Sequence, residues 1–250
     1  MTLLCPFFID AAKEESINTI LECSAYKEQN EKLKVVVAGC LTQRYKSQLA
    51  KGLPEVDLFV GTDEFVKLPK LLREIDEKRS GKVHAKRTHY IYDEHHPRVN
   101  TLSGHSAYVK VAEGCQHNCS FCIIPAIRGK LRSRSESSIV SEVKNLSEGG
   151  VKEINLIAQD LAAYGRDRDD GAKLLSLLKE LVKIEKLKWI RLLYVYPENI
   201  NDEFLEFFAN EKKIVKYLDI PIQHGSNKIL KTMKRVVSIE EIEETIIEST

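Results

Sequence analysis

No apolar stretch in the sequence approaches the roughly 20 residues that a membrane-spanning helix needs. The apolar start, Met1 to Phe8, is too short for the hydrophobic part of a secretion signal and has no basic residues before it. Neither sign of charge dominates, because 38 Lys and Arg stand against 37 Asp and Glu. No overall field therefore attracts the chain to nucleic acid or to a membrane surface. We expect a cytoplasmic protein in which such binding depends on a local patch.

Cysteine is scarce, with six residues among 250. An even number of cysteines is typical of small secreted domains with disulfides, but this chain is neither small nor visibly secreted. Its 43% apolar and 30% charged residues are usual for a protein that buries a real core. Metal or redox chemistry is therefore the better explanation for the cysteines.

Apolar periodicity predicts two blocks in which strands and helices alternate. In the first block, the predicted helices are Ala11 to Lys27, Thr42 to Lys51 and Phe65 to Lys78. The predicted strands between them are Lys34 to Cys40 and Val56 to Gly61. This order is typical of parallel α/β sheets. The next stretch is rich in His, Arg, Asp and Pro and has one β-like run, His89 to Tyr92. We predict a first domain over residues 1–80, a linker over 81–105 and a second domain over 106–250.

The second block is more regular. Its predicted strands are Ala107 to Ala112, Glu153 to Ala158, Trp189 to Val195 and Ile214 to Ile220. Its predicted helices are Ser138 to Ser147, Ala172 to Ile184, Asp202 to Ala209, Asn227 to Lys234 and Ile239 to Ile247. Four successive βα units indicate a parallel sheet with right-handed crossovers. They are too few for a barrel of eight, so we expect an open or partial (β/α) barrel.

Three cysteines, Cys115, Cys119 and Cys122, follow the first strand of this block at C-x3-C-x2-C spacing. Sites of α/β proteins are built on loops at the carboxyl ends of parallel strands, and thiolates are the usual ligands of iron–sulfur clusters. Three ligands leave the fourth iron of a 4Fe–4S cluster without a protein sulfur. An open position of this kind is what a catalytic metal needs.

Structural zinc is the main alternative at this loop. Zinc usually takes four ligands, and His117 could be the fourth only in a strained local geometry. A disulfide with one spare thiol is a weaker alternative in a cytoplasmic protein.

The loop resembles the signature of the radical S-adenosylmethionine (SAM) superfamily. The resemblance implies that SAM chelates the open iron and that one electron cleaves it to a 5′-deoxyadenosyl radical. Phe121 matches the position whose ring packs near the adenine, although an aromatic residue there could also belong to the core.

The flanking motifs resemble the methylthiotransferase family within that superfamily, and they cover most of residues 106–236. The first motif is Cys119 to Pro125, followed by Arg128-Gly129 and Ser133-Arg134. The second is Gly150 to Leu156, followed by Gln159-Asp160 and Ala163 to Gly165. The third is Pro221 to Asn227, followed by Met233 to Arg235. Gln159-Asp160 and Tyr194 to Pro197 resemble the branch that modifies an aspartate of a small-subunit ribosomal protein. The other branch modifies tRNA adenosine.

The first block resembles the amino-terminal methylthiotransferase domain, in which three cysteines hold a second 4Fe–4S cluster. Cys5 and Cys40 match the second and third of these ligands, and Cys40 is the surer of the two. The first ligand is absent, so the chain resembles a fragment truncated at both ends. We expect the second cluster to be absent or unstable and both ends to expose apolar surface or unpaired strand edges. Cys23 matches no ligand and is predicted to be core.

Four further residues are candidates for binding the cofactor. Arg128 and Arg134 match family positions, with a solvated loop as the alternative. Gln159 and Gln223 stand at predicted strand ends, with simple capping as the alternative. The chemistry of Asp160 cannot be inferred from the sequence. His95, His96 and His117 have no metal-ligand spacing and are taken as loop residues.

The resemblance therefore implies a radical enzyme, a transferase that abstracts hydrogen from the β-carbon of a protein aspartate. The amino-terminal cluster would supply the sulfur, and a second SAM molecule would supply the methyl group. The implied partners are a small-subunit ribosomal protein and an electron donor such as flavodoxin or ferredoxin. One alternative is the same reaction on a tRNA adenosine, which calls for a basic surface. An alternative of another class is a non-catalytic iron–sulfur or zinc module that docks to the ribosome.

Overall fold

The computed structural model describes residues 2–5, 10–75, 81–86, 90–101 and 104–248. The chain forms two compact units, Met1–Tyr90 with Cys122–Gly129, and Ile91–Phe121 with Lys130–Thr250. The chain thus passes from the second unit into the first between Phe121 and Cys122, and returns after Gly129. Within the described ranges, no helix is long and apolar enough to cross a membrane.

The first unit is built on a four-stranded parallel sheet in the order β1-β2-β3-β4. Its strands are β1 (Thr2–Cys5), β2 (Val36–Gly39), β3 (Leu58–Val60) and β4 (Lys82–His84). Its helices are α1 (Asp10–Ala25), α2 (Cys40–Gly52), α3 (Leu68–Arg73) and α4 (Ile124–Arg128). Short 3₁₀ turns lie at Tyr26–Glu28 and Phe65–Lys67.

Apolar residues bury both faces of this sheet. Val37 of β2 and Phe59 of β3 pack into one cluster, which includes Ile20 of α1. The intervening residues Val36 and Leu58 pack into a second cluster. Because alternate side chains of a strand point to opposite faces, a run such as Val35 to Ala38 is suited to a strand covered on both sides.

The second unit is built on a parallel sheet in the order β10-β9-β8-β5. Its strands are β5 (Ser106–Lys110), β8 (Glu153–Ile157), β9 (Trp189–Leu192) and β10 (Ile214–Leu218). An antiparallel pair, β6 (Ala112–Glu113) and β7 (Arg132–Ser133), flanks it. Its helices are α5 (Glu136–Glu148), α6 (Leu174–Leu181), α7 (Asp202–Asn210), α8 (Asn227–Thr232) and α9 (Ile239–Glu248).

Neighbouring strands of this second sheet follow one another along the chain, which is the arrangement of a barrel wall. Its core contains Ile154 and Leu156 of β8, Ile190 and Leu192 of β9, and Leu177 of α6, all with no exposed surface. Fully burying a side chain of this size stabilises a fold by about 1.5–3 kcal/mol. The predicted α/β class and the partial parallel barrel are confirmed.

The structure differs from the sequence prediction in several places. The strand β4 lies inside the stretch predicted as a linker, whereas Tyr90–Tyr92 forms no strand and His89 lies outside the described residues. The helix predicted over Phe65 to Lys78 is a 3₁₀ turn followed by α3, which ends at Arg73, and residues 76–78 of the prediction lie outside the described residues. Finally, β9 ends at Leu192 because Tyr194 has a left-handed backbone with φ of +62°.

Candidate functional site at the carboxyl edge of the second sheet

The loops that leave the carboxyl ends of β5, β8, β9 and β10 are tied to one another by backbone hydrogen bonds. The amide of Val111 donates to the carbonyl of Ile157 at 3.1 Å. Beyond the strands, Leu161 donates to Tyr194 at 3.0 Å and Val195 to Asp219 at 2.9 Å. The side chains on these loops therefore share one edge of the sheet, which is where α/β proteins bind ligands.

The cysteine loop (residues 114–122) starts at this edge and is held at several points. Gly114, with φ of +83°, donates its amide to Oε1 of Gln159 at 2.7 Å. The amide of His117 donates to Sγ of Cys115 at 3.4 Å. Ser120 donates its amide to the carbonyl of Met233 at 3.0 Å. Its hydroxyl donates to the carbonyl of Thr232, the last residue of α8, at 2.9 Å.

His117 links this loop to the residues that follow β8 and β9. Its Nε2 lies 2.7 Å from Oδ2 of Asp160, and its ring stacks on that of Tyr196 with centroids 4.3 Å apart and planes 14° apart. Asp160 is 1% exposed, and its Oδ1 accepts a hydrogen bond from the amide of Ala162 at 3.1 Å. The buried carboxylate is therefore paired on both oxygens, as burial requires.

Tyr196 also contacts Arg235. The guanidinium carbon lies 3.6 Å from the ring centroid, which is a close cation–π contact. Nη1 of Arg235 donates to Sγ of Cys119 at 3.8 Å, and Nη2 donates to the carbonyl of Pro221 at 3.0 Å. Burial raises the pKa of the Tyr196 phenol well above its ordinary value. The ring therefore stays neutral at physiological pH.

The third cysteine, Cys122, begins the segment that belongs to the first unit. Ile123 and Ile127 of this segment pack against that unit's core, which includes Cys40. Nη2 of Arg128, the last residue of α4, lies 3.5 Å from Sγ of Cys40. The residues that directly follow Cys122 are thus fixed by the unit that carries Cys40.

Cys40 is buried at the start of α2, directly after β2. The backbone of Cys5 ends β1 and pairs in register with Gly39, so both cysteines stand at the carboxyl ends of neighbouring parallel strands. The side chain of Cys5 lies outside the described residues. Cys23 is buried within α1, as predicted for a core cysteine.

The other predicted cofactor residues fall into distinct environments. Arg134 is 3% exposed, and its guanidinium donates to the carbonyl of Lys110, to Glu142 at 2.5 Å and to Ser138. Phe121 is half exposed. Gln159 receives the Gly114 amide, and Gln223 has a left-handed φ of +68° after β10. A cofactor contact by Arg128 or by these residues stays a prediction.

Sequence reasoning missed three residues of this edge. The sequence predicts His117 to be a loop residue, although its position between Cys115 and Cys119, two predicted cluster ligands, is a signal. Arg235 lies in a motif shared with the methylthiotransferase family, but the motif alone indicates no role for it. Tyr196 lies in the motif that distinguishes two branches of the family, and nothing in the sequence indicates its contact with His117 or Arg235.

The donor set fits a 4Fe–4S cluster. Each thiolate of such a cluster binds a different iron, so the sulfurs need not converge on one point. In the described part of the chain, no three His, Cys, Asp or Glu side chains are placed to hold a single metal ion. The Cys115 and Cys119 sulfurs already accept hydrogen bonds from His117 and Arg235, which is the outer-shell support that cluster ligands use.

Known families match both parts of the chain. The model described as "Radical SAM superfamily" matches residues 109–248, and the one described as "Uncharacterized protein family UPF0004" matches residues 4–61.

Curated relatives named "Ribosomal protein uS12 methylthiotransferase RimO" are similar over nearly the whole chain. One from Syntrophotalea carbinolica is 47% identical over 239 residues, which cover 96% of this chain and 52% of the relative. One from Bdellovibrio bacteriovorus is 47% identical over 245 residues, which cover 96% of this chain and 54% of the relative. One from Geobacter sulfurreducens is 43% identical over 239 residues, which cover 96% of this chain and 54% of the relative. The chain spans about half the length of the curated relatives it matches.

Solved radical SAM structures share the fold. The methyltransferase TsrM from Kitasatospora setae, with tryptophan and a SAM analogue bound, has a TM-score of 0.63 and 17% identity, covering 91% of this chain and 49% of TsrM. The cobalamin-dependent enzyme OxsB has a TM-score of 0.65 and 13% identity, covering 99% of this chain and 38% of OxsB. At these identities the likeness concerns the fold alone. Because the superfamily model matches more than half of the residues, the chain belongs to the radical SAM superfamily.

Proposed function

We propose that the chain carries the radical-generating part of a methylthiotransferase that modifies the β-carbon of an aspartate in a small-subunit ribosomal protein. The observation that carries the proposal is the cysteine loop at the carboxyl edge of the second sheet, held by Gln159 and His117. Relatives at 43–47% identity bear the name of a uS12 methylthiotransferase, which supports the choice of substrate.

In this proposal Cys115, Cys119 and Cys122 bind a 4Fe–4S cluster, and SAM occupies the open iron. When bound, the cluster would supply the one electron that cleaves the C5′–S bond of SAM, which yields methionine and the 5′-deoxyadenosyl radical. The half-exposed ring of Phe121 is available to contact the adenine. The protein's part is to hold the loop rigidly, because the reacting atoms must stay aligned throughout a radical transfer.

The buried contacts behind the loop suit that task. Gln159 fixes its first residue, and the pair formed by His117 and Asp160 fixes its middle. The stacked ring of Tyr196 is 2% exposed and excludes water from one side of His117. Gln159, Asp160 and Tyr196 come from the loops after β8 and β9, so their contacts with the cysteine loop support a rigid loop in this proposal.

The proposal extends to the first unit and to partners. Cys5 and Cys40 would be two of the three ligands of a second, sulfur-donating cluster, with Arg128 beside Cys40, and with two ligands this cluster is absent or unstable in the chain. A flavodoxin or ferredoxin delivers the electron, and the reaction takes place in the cytoplasm, where the ribosomal substrate is found. The near-neutral net charge of +1 favours a protein substrate over tRNA.

Anaerobic reconstitution of this chain tests the first part. We expect iron and sulfide near one 4Fe–4S cluster per chain, and formation of 5′-deoxyadenosine after reduction in the presence of SAM. The triple variant C115A/C119A/C122A should lose both, whereas C23S, which alters a buried cysteine of α1, should keep both. Bound zinc with no cleavage of SAM would instead support a non-catalytic module. Two clusters per chain would contradict the expected instability of the amino-terminal cluster.

Isotope transfer tests the substrate. A ribosomal-protein peptide whose aspartate carries deuterium on the β-carbon is incubated with the reconstituted chain, and 5′-deoxyadenosine is analysed by mass spectrometry. We expect deuterium in the product with this peptide and none with a peptide deuterated at the α-carbon. Transfer from deuterated tRNA adenosine, with none from the peptide, would favour the tRNA reaction.

A further inference from the structure

Arg235 is a buried cation. It is 7% exposed, and its backbone is fixed by a hydrogen bond from its amide to the carbonyl of Leu230 at 2.9 Å, just after Lys234 with φ of +57°. Among the described residues, no carboxylate lies within ion-pairing distance of its guanidinium. Its Nε is buried there without a hydrogen-bond acceptor. Burying a charge in this way is unfavourable unless an anion compensates it.

The contacts of the guanidinium show where that anion would lie. Nη2 is bound to the carbonyl of Pro221, and the plane lies over the neutral ring of Tyr196, so neither contact supplies a full negative charge. The remaining polar contact is from Nη1 to Sγ of Cys119. A thiolate at Cys119 that is bound to a cluster would place negative charge at that contact, where charge-assisted hydrogen bonds are strongest.

We infer that Arg235 is a positioning residue that holds Cys119 as a cluster ligand and raises the reduction potential of the cluster. This inference rests on the proposed function, since it needs the cluster on the cysteine loop. Reduction adds one negative charge to the cluster. A nearby buried cation stabilises the reduced form more than the oxidised form, because Coulomb interactions are strong at low dielectric constant. Hydrogen bonds to cluster sulfurs act in the same direction.

The turn after α8 has a second contact with the same loop, which the experiment must separate from Arg235. The amide and hydroxyl of Ser120 are bound to the carbonyls of Met233 and Thr232. These bonds hold the loop without bringing charge to it. A variant of Ser120 therefore tests loop anchoring alone, whereas variants of Arg235 test charge and donor together.

The test is a redox titration, monitored by electron paramagnetic resonance, of the reconstituted full chain. For R235Q we expect at least a tenfold fall in the equilibrium constant for one-electron reduction, which is a potential more negative by about 59 mV. R235K keeps the positive charge but loses the planar guanidinium and its paired N–H donors. The reduction potential of its cluster should therefore lie between those of R235Q and the parent chain. R191Q is the matched control. It removes a guanidinium that pairs with Glu153 and contacts the ring of Tyr217, and it should leave the potential unchanged.

A cluster in R235Q with the parent's potential would overturn the inference while leaving the proposed function intact. Failure of the parent chain to form a cluster would instead overturn the proposed function. If the Arg235 variants keep native circular dichroism but bind no iron while S120A binds it, the positioning role is supported. Equal loss of iron in S120A would assign the effect to loop anchoring and overturn the inference.

Discussion

Nε2 of His117 lies 2.7 Å from Oδ2 of Asp160, although the two residues are 43 positions apart in the sequence. The contact joins the middle of the cysteine loop to the loop that follows β8. Asp160 is almost fully buried, and its second oxygen accepts the amide of Ala162. The carboxylate therefore acts as a fixed anchor, from which the imidazole holds the segment between Cys115 and Cys119.

Removing this anchor should loosen the cluster. In D160A, His117 and the amide of Ala162 lose their acceptor, which costs about 1–3 kcal/mol for buried groups left unpaired. We expect D160A to release iron to a chelator several-fold faster than the parent chain. D160N keeps one acceptor oxygen, for the Ala162 amide, and turns an NH2 group towards His117, so its iron-release rate should lie between those of D160A and the parent chain.

The control for this effect is D169A, which removes an exposed carboxylate from the same loop region. Its iron-release rate should equal that of the parent chain. If D160A and D169A release iron equally slowly, Asp160 does not anchor the cysteine loop.

Replacing Arg134 should lower the free energy of unfolding rather than the affinity for SAM. Its guanidinium joins the carbonyl of Lys110 in β5 to Glu142 and Ser138 in α5. Glu142 also pairs with Arg98 at 2.6 Å, so R134M leaves that carboxylate compensated. The loss is therefore that of buried hydrogen bonds, and urea unfolding of R134M should show a fall of about 1–3 kcal/mol in the free energy of unfolding. The double variant R134M/E142M also takes the carboxylate from Arg98 and should be no more stable than R134M.

Binding of SAM to the reconstituted R134M chain, measured by calorimetry under conditions where it is folded, separates stability from cofactor binding. We expect the affinity to match the parent. A lower affinity would favour the cofactor contact that the sequence predicts for Arg134.

The first sheet could be predicted because its central strands are apolar runs. β2 and β3 are buried on both faces, and such runs are recognisable without tertiary information. β4 was not predicted, because its sequence Lys82-Val83-His84 holds one apolar residue and forms a strand only by pairing with β3. The packing of Cys122–Gly129 with the first unit is likewise a tertiary property, since a contiguous division of the sequence has no place for it.

In the candidate site, too, the local features could be predicted from the sequence and the long-range contacts could not. The C-x3-C-x2-C spacing is local, so the three cysteines could be identified from the sequence. The residues that support them are distant in the chain, with Arg235 lying 116 positions from Cys119. Cysteine spacing carries no information about such contacts. Tertiary packing also explains why His117 looked like an ordinary loop residue.

Stability should fall at alkaline pH through Tyr164. Burial raises the pKa of its phenol well above the ordinary 10.0, and its hydroxyl donates to the carbonyl of Arg134 at 2.8 Å. The folded state therefore keeps a proton that the unfolded state loses. The stabilisation is complete below about pH 10 and declines above it, by up to about 1.4 kcal/mol per pH unit for one group.

Urea unfolding of Y164F between pH 8 and pH 12 measures this contribution. At pH 8 the variant should be less stable by about 1–3 kcal/mol, because the Arg134 carbonyl loses its donor. Above pH 10 its stability should fall less steeply than that of the parent chain. Y26F, which alters a tyrosine that is 57% exposed, should follow the parent curve. Parallel curves for Y164F and the parent would refute the linkage.

Gly165 should not tolerate a side chain. Its φ is +85°, and a Cβ there would lie 1.9 Å from the carbonyl oxygen of Ala172, a backbone atom that cannot turn away. Gly171 in the same loop also has a left-handed φ, +78°, but a Cβ there meets nothing within 4 Å. G171A therefore carries only the backbone strain, about 1–2 kcal/mol. G165A carries the same strain and the clash, which adds about 1–3 kcal/mol in packed regions. Urea unfolding of the two variants measures the difference, and equal stabilities would mean that the 165–172 loop shifts freely.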